Sequence, residues 1–303
     1  MTLQKTMTGR AWAEMILLAT IWGGSFLAIR VALDEVAPLT SVAHRTGWAM
    51  LALWSVVALM RLPLPRNPRI WFGFLGMGLL NNVIPFALMA WGQLYVETGL
   101  TSILNGDTAI FGVIAAAIFF ADERITRAKA IGVSLGFVGV ATAIGLDNFR
   151  NFNIQSLAQL AILAGTVSYA LASVWARHFL GGLAPQVAAA GMLTGSTLII
   201  LPLAWIVDGP IRLDLAPSTL GAIGYYALIA TAGAYLLYYR VLALAGSGNL
   251  MLVTLLIPPV AITLGAYARE EALGTNAFAG FTLLALGLAI LDGRIWAWIR
   301  TKR

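Results

Sequence analysis

Asp107 is the residue best placed to do chemistry, because Ser102, Asn105, Asp107 and Thr108 form the most polar stretch within any apolar run of the chain. A carboxylate in such surroundings has two uses. It ties helices together, by bonding across them or pairing with Arg45 or His44, or it takes part in binding a solute or a proton. His44 and Arg45 enter the second apolar run side by side, about 100° apart around a helix, so only one of them can face its centre. Asn81 and Asn82 lie shortly before Pro85 in the third run, with Gln93 at its end. Adjacent amides beside a proline that frees a backbone carbonyl suit the ammonium and carboxylate of a zwitterion, and serve equally as glue between helices. Tyr235, Tyr238 and Tyr239 recur at i, i+3 and i+4, giving one helix face rings and hydroxyls. Tyr238 and Tyr239 also fit an interfacial aromatic belt, and Tyr169 and Trp175 pose the same choice between belt and cavity wall. With Tyr95 and Asn105 these residues make up the candidate solute-binding set; Asp107, His44 and Arg45 are candidate charge or coupling partners.

Other chemistries are excluded by what is missing. The chain has no cysteine and two histidines, so thiol catalysis, disulfides and a clustered metal site are not expected. No HExxH pattern and no GxxxxGK[ST] loop occurs, which removes zinc hydrolysis and ATP as the motor. Neither catalytic residues nor a cofactor are therefore expected. The interior lacks the basic cluster that a phosphate or dicarboxylate would need, whereas ten tryptophans and eight tyrosines can wall a ring. Small, net-neutral solutes fit best.

The elements that must position these groups follow from composition. Of 303 residues, 60% are hydrophobic and 11% charged, less than half the charge of an average soluble domain. Apolar stretches run at about 12–32, 41–60, 70–91, 99–120, 128–146, 157–176, 186–206, 218–240, 248–268 and 275–292, each near the roughly 20 residues that cross a bilayer. The expected fold is an all-α integral membrane protein of ten transmembrane helices. With the N-terminus inside, fourteen of the nineteen basic residues fall on the cytoplasmic side, from Lys5 and Arg10 to Arg303. Such asymmetry sets orientation, so both termini are expected in the cytoplasm. The net charge of +6 reports this placement and implies no nucleic-acid partner. Glu14 and Asp292, close to the cytoplasmic ends, read as interfacial anchors.

A shift of 148 residues pairs Thr46-Gly47 with Thr194-Gly195, Glu123 with Glu271, Gly132 with Gly280 and Gly139 with Gly287; a shift of 147 pairs Ala37-Pro38 with Ala184-Pro185. Five spans per half is an odd number, so the halves insert in opposite senses, and such inverted repeats place a solute site near the midplane. The organisation expected is a cytoplasmic tail over 1–10, repeat 1 over 11–146, an external connection over 147–156, repeat 2 over 157–293 and a basic tail over 294–303. The glycines are expected to form packing seams.

The run Trp22-Gly23-Gly24-Ser25-Phe26 through Arg30, Arg45 in the second span, Glu123-Arg124-Ile125-Thr126 closing the fourth, and Pro258 thirteen residues before Glu271 resemble the motifs of the EamA family of the drug/metabolite transporter superfamily. The similarity spans nearly the whole chain and is greatest to its YddG-type bacterial exporters of aromatic and neutral amino acids. The resemblance implies a secondary transporter in the bacterial inner membrane that exports small neutral, aromatic amino acids by alternating access. Its partners would be the solute and the lipid bilayer. Multidrug or other metabolite efflux is the alternative, which for cationic drugs calls for a buried acid such as Asp107. An intramembrane enzyme is the weaker third reading. With both repeats in one chain, a monomer suffices.

Overall fold

The structure is a computed structural model that describes residues 8–120, 125–145, 153–250 and 253–291, without the side chains of 246–249. Glu123, Asp292, most of the 147–156 connection and the basic terminal tails lie outside the described residues. Among those described, the regular elements are all helical, and they form ten rods. These are α1 (Gly9–Ala32), α2 (Pro38–Leu59), α3 (Pro68–Gly92), α4 (Thr98–Phe119), α5 (Arg127–Ile144), α6 (Ile154–Phe179), α7 (Pro185–Val207), α8 (Pro217–Gly224, Tyr225–Gly233 and Ala234–Leu250 in succession), α9 (Val253–Arg269) and α10 (Thr275–Leu291). The first eight are long and apolar enough to cross a membrane; α9 and α10, at 17 residues each, are shorter apolar helices.

Boundaries follow local chemistry. Prolines 38, 68, 185 and 217 stand at the first helical turn, where a missing N–H costs nothing. Asn153 caps α6 and is itself answered by Ser156, so that helix starts at Ile154, inside the stretch expected to be a loop. The eighth helix also runs on to Leu250, beyond the expected end at 240.

The two halves interlock rather than sit side by side. Helix α1 packs on α8 and α9, α6 on α3 and α4, α2 on α7, and α5 on α10. Repeat-equivalent glycines cross at the last of these seams: a Cβ on Gly139 would lie 2.8 Å from the carbonyl oxygen of Gly280, and one on Gly132 would lie 2.8 Å from that of Gly287. Gly132 matches Gly280 in the repeat and Gly139 matches Gly287, so the two equivalent helices run antiparallel. Their backbones touch only because both lack side chains there.

Helices α3, α4 and α8 are broken near their middles. Leu79–Val83 in α3 and Tyr225–Gly233 in α8 are π-helical, and Gly106 and Asp107 interrupt α4 between Asn105 and Thr108. Adding 148 to Leu79–Val83 gives 227–231, inside the second π segment, so the distortion is repeated along with the sequence. Each π segment has a carbonyl answered by the first helix of the opposite half. Ser168 on α6 donates to Leu80 O at 2.6 Å, and Trp22 Nε1 on α1 donates to Ala230 O at 3.2 Å.

At the end of the bundle remote from Gly9 and Leu291, four carboxylates reach across the repeat boundary. Asp208 accepts from the amide and hydroxyl of Thr40 at 2.7 and 3.0 Å, and Glu271 from those of Thr98 at 2.9 and 2.8 Å. Glu35 accepts from the Ala216 amide at 3.0 Å, and Asp34 from Arg269 at 2.6 Å. The first three meet the N-termini of α2, α4 and α8, whose own N-cap side chains, those of Ala37, Glu97 and Ala216, make no capping bond. Caps that a helix ordinarily supplies for itself are supplied here by the other half. Glu270, with φ at 55°, takes the left-handed turn after α9 that folds Glu271 back over Gly265.

Two outcomes follow. Gly139→Leu should lower thermal stability in detergent by about 1–3 kcal/mol through overpacking at the seam, while Gly112→Ala, where a Cβ meets nothing within 4 Å, should not; equal melting of Gly139→Leu and wild type would exclude the seam. The hydrogen bond from Arg269, with the charges of Arg269 and Arg30, holds the Asp34 carboxyl below its ordinary value of 3.8. Its contribution is therefore complete above pH 4 and is lost as acid takes the pH through the lowered value. Asp34 is 47% exposed, so Asp34→Asn should cost at most about 1 kcal/mol, and only above about pH 4. Melting curves of the two proteins that converge on acidification support the clasp; a gap that widens on acidification contradicts it.

Candidate functional site

The two π segments bring polar side chains together where the halves meet. From α3, Asn82 is fully buried and donates to Ser196 Oγ on α7 at 2.7 Å. Its Oδ1 accepts from Tyr235 on α8 at 3.3 Å and from Asn81 at 3.2 Å. Asn81 also donates to the Tyr235 hydroxyl at 3.4 Å. Loosened backbone turns let adjacent residues on α3 point into the same network, which an ordinary helix would splay about 100° apart.

Arg45 reaches this region from α2, seven residues past Pro38 or about 10 Å along the axis. Its Nε donates to Thr231 Oγ1 at 2.9 Å, inside the π segment of α8, where Thr231 in turn donates to Tyr226 O at 2.8 Å. The guanidinium carbon lies 3.8 Å from the centroid of the Phe86 ring, one turn beyond Asn82 on α3. Phe86 meets Tyr169 of α6 edge-on at 6.5 Å. Tyr169, Tyr226 and Tyr235 are near enough to feel the charge of Arg45. Tyr226 is wholly buried and exchanges hydrogen bonds with Ser41, whereas Arg45, Tyr169, Tyr235 and Asn81 are only partly buried.

The remaining candidates divide. Tyr238 packs on Trp22 at 5.9 Å and on Tyr239 at 5.3 Å, extending the aromatic contacts toward the end of Gly9 and Leu291. Gln93 is buried and donates to Phe26 O at 3.0 Å, joining α3 to α1. Tyr95 is exposed in the turn after α3 and rests on Trp91. Trp175 donates to Gly73 O at 3.0 Å and stacks on Phe179 at 4.4 Å, so it fastens α6 to α3 rather than facing Arg45. His44 is buried and accepts from Trp48 on its own helix.

The pairing of Asp107 with Arg45 or His44 that the sequence suggests is not formed. Asp107 sits at the break of α4 with no hydrogen-bond partner for either carboxylate oxygen, and Asn105 Oδ1 beside it is likewise unpartnered. The reason is placement: the guanidinium is engaged by Thr231 and Phe86 on α8 and α3, while the chain around Asp107 packs against α10, with Gly106 against Leu284. Glu14 behaves as an anchor should, held by Arg240 at 2.6 Å and Arg10 at 3.0 Å.

Sequence reasoning passed over Trp22, Phe86, Ser196 and Thr231. Trp22 stood inside a recognisable motif, where Gly23 and Gly24 are bare against Val260 and Tyr225. Phe86 lies at i+4 from Asn82, the spacing that marks one helix face. Nothing in the sequence distinguishes Ser196 or Thr231 from other hydroxyls in apolar runs. Among the described residues no group of three or more metal-ligating side chains occurs.

The chain is similar to several known proteins. The chain is 25% identical over 93% of its length, and 98% of the other's, to an uncharacterized transporter of Archaeoglobus fulgidus. It is 24% identical to a probable amino-acid metabolite efflux pump of Escherichia coli strain K12, covering 91% of this chain and 92% of that one. It is 26% identical to a probable terminal-alkyne amino-acid exporter of Streptantibioticus cattleyicolor, covering 93% of each. A crystal structure with 18% identity superposes with a TM-score of 0.67 over 95% of this chain and 99% of that one, which shows a shared fold. The EamA-like transporter family profile matches twice, over residues 10–145 and 156–291, one copy per half. The chain belongs to the EamA-like transporter family.

Proposed function

We propose that this protein exports neutral amino acids, aromatic ones included, by alternating access at the space between its halves. The observation that carries the reading is the cluster of Arg45, Asn81, Tyr169 and Tyr235, in which hydrogen-bonding groups and rings, none of them fully buried, gather at the meeting of the two π segments. Ring faces suit an apolar or aromatic side chain, and polar groups suit the charged ends of a zwitterion. An arginine at this place opposes a cationic drug, which would need an acid instead. Two relatives whose names refer to amino-acid export support the same class.

In this reading both termini lie in the cytoplasm of a bacterial cell, the membrane is the inner one, and the carboxylate clasps close the outer end. The inner end then gives access to solute, and release outward requires the clasps to part. One chain supplies every residue of the site, so the unit is a monomer.

Purified protein in liposomes loaded with unlabelled phenylalanine should accumulate labelled phenylalanine and threonine by counterflow, and should leave a sugar and a cationic dye outside. Exchange of the dye without exchange of any amino acid would replace this reading with multidrug efflux.

A further inference from the structure

We propose that Arg45 is the residue that binds the substrate's carboxylate, so that a free carboxylate is the chemical requirement for entry to the site. This rests on the amino-acid reading above and sharpens it.

Five N–H groups project from a guanidinium. In Arg45 only Nε is occupied, by Thr231. Neither Nη makes a hydrogen bond, and among the described residues no carboxylate stands within ion-pair distance of Arg45. Arg10 and Arg240 share Glu14, Arg30 and Arg269 share Asp34, and Arg212 has Asp214. Arg45 differs from all of these by lying well inside a span, where an uncompensated charge is most costly. The Phe86 face offsets part of that cost. A charge kept there without a counter-ion is complementary to one that arrives with the ligand.

The geometry suits a carboxylate. The guanidinium carbon rests 3.8 Å from the centre of the Phe86 ring, and the two Nη groups, which make no hydrogen bond, are available for the parallel pair of hydrogen bonds typical of arginine and carboxylate. These atoms are absent from the sealed, unpartnered polar atoms, in contrast to those of Asp107, so they open onto free space. The Tyr169 hydroxyl also has no partner and is not sealed, and it lies within the reach of the same charge. Across the site, Asn81 spends its amide hydrogens on Asn82, Met192 and Tyr235, leaving its carbonyl oxygen unpartnered and unsealed as an acceptor for an ammonium. Tyr235 links the two ends, hydrogen-bonded to Asn81 and within the field of Arg45.

The test compares counterflow of phenylalanine, phenylalanine amide and N-acetylphenylalanine in liposomes containing wild type, Arg45→Lys or Arg45→Gln. A buried group left unpaired by a substrate lacking its complement discriminates steeply, so wild type should exchange phenylalanine at least about 100-fold faster than its amide. Arg45→Lys should keep part of that preference, and Arg45→Gln should abolish it while remaining monodisperse in detergent. Equal exchange of acid and amide by wild type would overturn the proposal and needs no variant, so a misfolded Arg45→Gln does not shelter it. Exchange of N-acetylphenylalanine without phenylalanine would leave Arg45 as the carboxylate site and remove the amino-acid reading. Exchange of phenylalanine and its amide alike would do the reverse.

Discussion

A bilayer offers no hydrogen bonds, so each backbone group that leaves regular helical pairing must be answered by the protein itself. This constraint governs the interlocked halves. The π turns of α3 and α8 release carbonyls, and the groups that answer them, Ser168 and Trp22, come from the opposite repeat. The same logic recurs at the helix N-termini, where Asp208, Glu271 and Glu35 serve amides of the half to which they do not belong. Neither half is complete alone. Folding one repeat leaves orphan donors and acceptors that only the other can satisfy, which ties assembly of the bundle to creation of the space between its halves.

The two ends of the bundle are joined by different chemistry. The shift that aligns Ala37-Pro38 with Ala184-Pro185 places Gly181 and Gly182 opposite Asp34 and Glu35, and the shift of 148 places Met60 opposite Asp208. Asp34, Glu35 and Asp208 thus have no acidic counterpart in the repeat, whereas Glu271 is matched by Glu123. Among the described residues, contact at the end of Gly9 and Leu291 rests on Glu14 with Arg240 and on Trp175 and Phe179 packed against α3. Charge-assisted caps are directional and are lost as units, whereas ring packing slides and re-forms. A mirror-related packing of the helices therefore differs in energy from the one observed. The gap is set by a handful of contacts each worth about 0.5–2 kcal/mol, small enough for a bound solute to shift the balance.

The sequence made the spans legible, because length and apolarity alone define them, and it made the glycine seam of α5 and α10 legible through the matched positions 132, 139, 280 and 287. The pairing of Asn81, Asn82 and Tyr235 was visible only as three suitable side chains; their convergence depends on π turns, which leave no clear compositional mark. Of the roles open to Asp107, pairing with Arg45 is not formed, since depth along a helix says nothing of which neighbour a side chain faces. Trp175 shows the same ambiguity, since a tryptophan that wedges against Gly73 and Gly76 has the same sequence signature as one that walls a cavity. Thr231 was invisible for the opposite reason: its importance comes from one long-range bond to Arg45.

Alternating access, as proposed, requires the region around Arg45 to open to one side of the membrane at a time. The chain has no native cysteine, so spin labels can be placed in pairs without background, at Tyr95 and Leu213 on the clasped end and at Met60 and Gly181 on the other. Distance distributions measured with and without a saturating amino acid should change in opposite directions at the two ends, one pair separating as the other closes. Distributions that stay single and unchanged at both ends, or that widen together, would contradict alternating access in this protein.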